Sequence, residues 1–185
     1  MLSKRHPRAP KEFVELSRDR SHLTVGGRPF YFAGTNLYYA MTRAADPSTV
    51  ADVTSVLDAA AAAGLTVIRL WAFADGEQWG ALQPAAGCYE ERVFRALDWV
   101  VAAAAARGLR LLLCLLNYWP NYGGMQQYVR WSMEARGLCP PQGDVAPELF
   151  YSDATCQQLF RRFVATLLCR VNTCTGIAYR RAHSD

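Results

Sequence analysis

Short apolar runs of strand length alternate along this chain with longer stretches in which apolar residues return every three or four positions. The segment "HLTVGGRPFYFAGTN" holds two extended pieces joined by Gly26-Gly27, which predicts a β-hairpin whose second arm runs to Asn36. "DPSTVADVTSVLDAAAAAG" predicts a helix with Asp46 as its N-cap, Pro47 at its first position and Gly64 just past its end. "LTVIRLWAF" reads as a strand. In "YEERVFRALDWVVAAAAARG", Phe94, Leu97, Val101 and Ala104 share one helical face and Gly108 closes the helix. "LRLLLCLLN" is almost continuously apolar, the pattern of a strand covered on both faces. A segment rich in Gly, Pro and aromatics follows and is expected to be a loop. After it, "DATCQQLFRRFVATLLCRVN" predicts a helix with Phe160, Phe163, Val164, Leu167, Leu168 and Val171 on one side.

Strand, helix, strand, helix, strand, helix is the order of parallel strands joined by right-handed crossovers, so the expected fold class is α/β. An open doubly wound sheet and a (β/α)8 barrel both begin this way. The first strand-to-helix turn, "AGTNLYYAMTRAADP", has one glycine and no GxGxxG, and no GxxxxGK[ST] occurs in the chain, which argues against dinucleotide and phosphate-cradling sites. With 185 residues, 51% hydrophobic and 19% charged, the composition is that of one globular domain and excludes disordered and collagen-like classes. The net charge of +4 comes from scattered arginines, with local excesses at "LSKRHPRAPK", "FRRF" and "YRRAH", and no basic stripe points to a nucleic-acid partner. The longest apolar run, "WVVAAAAARGLRLLLCLL", is broken by two arginines and a glycine and reads as a helix followed by a strand, so no membrane span is expected. The 6 cysteines, at positions 88, 114, 139, 156, 169 and 174, form no CxxC, and only 3 histidines accompany them. No metal site and no cofactor are therefore expected. Cys114 reads as a small buried hydrophobe, and the other cysteines could pair in an oxidising compartment.

Chemistry-bearing residues collect where the predicted strands end. Asn36 with Tyr38 and Tyr39 follows the first, Arg69 and Trp71 with Asp75 close the second, and Asn117 with Tyr118 and Trp119 closes the third. Parallel strands place these ends on one face, where the loops of such folds converge on a cleft. Indole and phenol rings offer flat surfaces to a pyranose, and amide, guanidinium and carboxylate groups match its hydroxyls, so the ligand class indicated is carbohydrate. The same rings would also serve as packing beneath the loops. Arg69 stands apart: a guanidinium inside a run of Val, Ile and Leu calls for a partner, because a buried arginine is rare without one.

"RPFYFAGTNLYYAM", "GLTVIRLWAFADG", "ALQPAAGCYEERVFRALDWVV", "LNYWPNYGGMQQYVRW" and "LFYSDATCQQLFRRFVATLLCRVNTCTGIAY" resemble, in order and spacing, the N-terminal half of plant-type endo-β-mannanases of glycoside hydrolase family 5, from about Phe13 to Tyr179. The resemblance implies a partial (β/α)8 TIM barrel, about its first three βα units preceded by a short β-hairpin. It implies an enzyme that hydrolyses the β-1,4 backbone of mannan, glucomannan or galactomannan with retention of configuration, and β-mannan polysaccharide or manno-oligosaccharide as the partner. It further implies that Arg69, within "RLWAF", orients a nucleophile carboxylate supplied by another part of the barrel, that Trp71 contacts substrate, and that Asn36, Asn117 and Trp119 line the cleft. Where plant members usually show NNW this chain reads Asn117-Tyr118-Trp119, and Tyr39 stands where a tryptophan is common. Secretion is implied too, although Met1 to Pro10 contain no apolar signal-peptide core.

Three parts are expected from the same resemblance: a basic, disordered stretch 1–12, a catalytic-domain portion 13–179, and a divergent ending 180–185, "RRAHSD". Family members carry their acid/base glutamate in an Asn-Glu-Pro strand end and their nucleophile glutamate later. Neither is found here, so the expectation is a fragment that lacks both and is inactive alone. One competing reading is a non-catalytic carbohydrate-binding or interaction fragment. Another is an independent hydrolase using Asp75 and Glu77, but retaining cleavage needs two carboxyl groups about 5 to 5.5 Å apart across the scissile bond. Asp75 and Glu77 share one loop and read as a solvated acidic pair, and Asp52, Asp58, Glu90, Glu91 and Asp98 read as solvated helix residues.

Overall fold

The computed structural model describes residues 13–180; the predicted stretch 1–12 and residues 181–185 of the divergent ending lie outside them. Strands β1 (Val14–Leu16), β2 (Leu23–Val25) and β3 (Arg28–Pro29) form an antiparallel meander. Gly26 and Gly27 turn β2 into β3 with φ of 56° and 73°, left-handed values that match the twist of paired strands. The hairpin's second arm stops well short of Asn36. The Phe30 N–H makes the last bond to β2, at 2.8 Å, and β4 (Gly34–Asn36) then joins a different sheet. Glycine at position 34 permits that switch, because a Cβ there would sit 2.6 Å from the Val67 carbonyl oxygen.

The second sheet is parallel, in the order β4, β5 (Val67–Trp71), β6 (Arg110–Cys114). Helices α1 (Ala40–Ala44) and α2 (Val50–Ala62) connect β4 to β5, and α3 (Glu91–Ala105) connects β5 to β6. After β6 come α4 (Gly124–Ala135), α5 (Leu149–Ser152) and α6 (Ala154–Cys169). Spatial order follows chain order without reversal, so these strands contain no topological switch point, and the arrangement is that of consecutive βα units. Along β5 the two-residue period sends Ile68 and Leu70, both 0% exposed, into a core shared with Leu57, Phe73, Leu97 and Phe163. The opposite face carries Arg69 and Trp71. Register places Asn36, Arg69 and Leu112 at one level across the sheet, with Trp71 and Cys114 at the next.

Several predicted boundaries shift for identifiable reasons. The Asp46 carboxylate accepts from the Ser48 N–H at 2.8 Å and the Ser48 hydroxyl at 2.7 Å, so it closes a turn ahead of the helix, and α2 begins only after Thr49. The segment expected to be a loop contains α4, whose Tyr128, Val129 and Trp131 are buried and build a second core with Phe150 and Cys156. Strand β6, expected to be covered on both faces, is half-exposed, with Leu112 open to solvent. Among the described residues no strand pairs with its outer edge. All six cysteines are unpaired. Among the described residues, no helix is long and apolar enough to cross a membrane.

Asp98, expected to be solvated, is 0% exposed and organises the end of the chain. It accepts from Arg170 Nη2 at 2.7 Å and Nε at 3.1 Å, from Thr173 N and Oγ1 at 3.0 and 2.8 Å, and from the Tyr179 hydroxyl at 2.8 Å. Arg170 also bridges Glu91 on the first turn of α3, and its guanidinium lies 4.9 Å from the Phe94 ring centre. Burial pushes the Asp98 carboxyl up, but these donors outweigh it and hold the group below the ordinary carboxylate range. The stabilisation is thus present at neutral pH and is lost as pH falls through that lowered value. Arg170→Ala leaves a buried carboxylate without its cation and is expected to cost about 3 kcal/mol, read as a fall in the urea midpoint. A midpoint unchanged within error would mean that the network adds nothing to stability.

Candidate functional site

The loops leaving β4, β5 and β6 meet at the C-terminal ends of the strands. Arg69 is not buried, contrary to the sequence expectation: it lies on the sheet face away from the helices and is exposed. Among the described residues it forms no ion pair. Its guanidinium lies beside the Cys114 thiol, whose pKa burial raises against the opposing pull of Arg69. Asn36, level with it on β4, is also exposed and makes no side-chain hydrogen bond among the described residues.

One level higher, the Trp71 ring packs among Tyr38, Tyr122 and Phe73, with centroid separations of 5.0, 5.1 and 5.3 Å. It is half-buried, and its indole N–H is buried without a partner. Trp71 is therefore the hub of an aromatic cluster whose outer member, Tyr38, faces solvent. The structure brings Asn36, Arg69 and Trp71 together. Asn117 acts differently: its Nδ2 donates to Asn121 O at 3.2 Å and its backbone oxygen accepts from Met125 N at 3.0 Å, so it holds the loop that starts α4. Trp119 is exposed and meets Tyr118 edge-on at 5.7 Å.

Two glycines shape this junction: Gly123 seats the β6 loop on the β5 loop, and Gly124 closes the β6 loop on itself. Their φ values are 89° and 59°, and a Cβ on Gly123 would lie 2.4 Å from the Asp75 carbonyl oxygen, one on Gly124 2.2 Å from Asn117 Oδ1. Tyr122 O accepts from Asp75 N at 2.9 Å across the same junction. Tyr122 is thereby pressed against Trp71. The sequence pattern drew attention to Asn117 and Trp119 but not to Tyr122, although the "NYGG" run is the kind of glycine pair that marks close backbone approach.

Asp75, expected on a solvated loop with Glu77, is 2% exposed, whereas Glu77 is exposed. Its Oδ1 accepts from Gln83 Nε2 at 3.2 Å, and Gln83 Nε2 lies 3.3 Å from the Tyr128 hydroxyl. Its Oδ2 is buried without a partner. Burial, only partly opposed by the Gln83 bond, pushes its pKa up to about 8. The two acids therefore do not face one another across an open cleft.

The raised pKa sets a direction for stability. An unfolded aspartate ionises near pH ~4, whereas the folded one keeps its proton to about 8, so the contribution of Asp75 is full below the first value and is lost as pH rises to the second. Asp75→Asn should accordingly gain stability relative to the parent chain as pH rises from about 5 to about 8.5. Paired urea titrations at the two values check it, and a gap independent of pH would refute it.

The β-mannosidase-like model of glycoside hydrolase family 5 matches residues 11–183. Mannan endo-1,4-beta-mannosidase 2 of Oryza sativa subsp. japonica is 44% identical over 169 residues, covering 91% of this chain and 36% of its own length. Mannan endo-1,4-beta-mannosidase 8 of the same organism is 42% identical over 160 residues, covering 86% and 41%. The glycoside hydrolase family 5 mannosidase from Rhizomucor miehei superposes with a TM-score of 0.79 at 26% identity, over 90% of this chain and 45% of that one, and one of its structures is a complex with mannosyl-fructose. The endo-beta-1,4-mannanase from Thermotoga petrophila gives a TM-score of 0.67 at 31% identity, over 84% and 33%. The chain thus spans about a third to two fifths of the length of the curated relatives it matches. With this family match along nearly its whole length, and with parallel βα units in the order of those solved barrels, the chain belongs to the β-mannosidase-like proteins of glycoside hydrolase family 5.

Proposed function

We propose that these 185 residues form the glycan-contacting first part of an endo-β-1,4-mannanase that cleaves mannan, glucomannan or galactomannan with retention of configuration. The observation that carries the reading is the pairing of an exposed guanidinium with an aromatic cluster: Arg69 on the open sheet face, Asn36 beside it, and Trp71 with Tyr38 one level above. A pyranose over the rings would leave its hydroxyls in reach of Asn36 and Arg69. An arginine fork suits a carboxylate, and Arg69 orients a nucleophile that these residues do not themselves place there. Trp119 extends the rim, and Asn117 supports the cleft through the loop it braces. The relatives named mannan endo-1,4-beta-mannosidases and the mannosyl-fructose complex support mannose-containing glycans as the ligand class.

A second reading, binding without hydrolysis by this chain alone, is favoured by the acids present. Retaining cleavage requires one carboxyl group to protonate the leaving oxygen and another to attack the anomeric carbon. Asp75 is locked behind the Gln83 side chain and Glu77 stands on the loop tip, so among the described residues the β5 loop supplies no such pair. The purified chain is expected to bind mannohexaose yet release no reducing sugar from glucomannan above background. Release that an Asp75→Asn, Glu77→Gln double variant abolishes would reverse this conclusion. In titration calorimetry with mannohexaose, Trp71→Ala should lose more affinity than Arg69→Ala, because the indole also positions Tyr38 and Tyr122. Equal losses would contradict that ranking.

A further inference from the structure

Beside the strand-end cleft, a groove of about 890 Å³ opens between α1, the start of α2 and the tip of the loop after β5. Such a volume is within the range that holds a ligand larger than one sugar ring. Trp79, 63% exposed, stands on its wall with Gln78, and Tyr39 and Tyr122 line it together with Arg43 and Asp52. The tip is firmly placed. Leu82 N and Gln83 N both donate to Ala74 O, at 2.8 and 3.0 Å, and Gly80, at φ 72°, is seated so closely on α1 that a Cβ would lie 3.3 Å from the Thr42 Cβ. The backbone beside Trp79 is thus fixed while its indole stands open at the edge of a groove that also offers polar groups, the combination that a sugar-binding surface uses.

The chemistry of the groove selects a neutral polyhydroxyl ligand. Its two charges cancel, since Arg43 Nη1 lies 3.1 Å from Asp52 Oδ2, so neither an anion nor a cation is favoured. The hydroxyls of Tyr39 and Tyr122 make no hydrogen bond among the described residues and can donate to or accept from a ligand. The groove is also continuous with the main cleft: Tyr38 and Tyr122 line it and both touch the Trp71 ring. We propose that it is a distal subsite for the polysaccharide, in which Trp79 is the stacking platform for sugar units beyond those over Trp71 and Arg69.

This inference rests on the glycan-binding reading above, and its test separates the two. Affinities of the full 185-residue chain for mannotriose and mannohexaose are measured by titration calorimetry, alongside Trp79→Ala and Trp79→Phe. The parent chain should bind the hexaose more tightly than the triose. Trp79→Ala should weaken hexaose binding about three- to tenfold while leaving triose affinity in place, and Trp79→Phe should keep part of the difference. If hexaose binding is unchanged in Trp79→Ala, or if triose and hexaose weaken equally, the distal subsite is overturned while the main cleft stands. If the parent binds neither oligosaccharide, the glycan-binding reading fails and the subsite with it.

Discussion

The two-residue period of strand β5 is the constraint from which the rest of the arrangement follows. Ile68 and Leu70 must both enter the core beneath the helices, and this fixes Val67, Arg69 and Trp71 on the other face. A one-residue slip would bury the guanidinium and expose two aliphatic side chains. Parallel pairing then transmits the choice sideways, setting Asn36 level with Arg69 on one side and Leu112 on the other. The polar residue that seemed misplaced within an apolar strand is simply on the strand's open side.

Two buried aspartates show how environment, not residue type, sets ionisation. Asp98 gathers donors from Arg170, Thr173 and Tyr179 and stays charged in a site without solvent. Asp75 has the single Gln83 donor and is driven toward its neutral form. The first ties the segment after α6 to α3; the second forms the fixed base of the loop that carries Gln78 and Trp79, where the Gln78 side chain donates to Asp75 O at 2.8 Å. Asp98 is satisfied by several donors at once, whereas Asp75 keeps one oxygen unpaired, and that difference is what separates their ionisation.

The cleft itself is a product of loops that brace each other. Gly123 allows the β6 loop to approach the β5 loop closely enough for Tyr122 to reach Trp71, Gly124 lets the β6 loop fold tightly on Asn117, and Trp71 in turn supports Tyr38. Strand ends supply direction, whereas glycine supplies contact. The aromatic surface that results is shared between the Arg69 level and the groove beside it.

By itself, the sequence determined the elements whose periodicity is strong and uninterrupted: β5, α3 and α6, the parallel order of the strands, and the gathering of Asn36, Arg69 and Trp71 at one end. These follow from local geometry, since residue spacing alone decides which side chains share a face. Helix α4 was hidden because it starts at Gly123-Gly124 after a proline-containing turn, without a capping side chain to announce it. The end of the hairpin, the role of Asn117, the burial of Asp75 and Asp98, and the exposure of Arg69 were decided only by tertiary structure. The two aspartates depend on what distant segments bring, Tyr128 through Gln83 to Asp75 and Arg170 with Tyr179 to Asp98, while at Arg69 and Leu112 the sheet face is left exposed. Burial and pairing are properties of contacts between segments far apart in the chain, and periodicity carries no record of them.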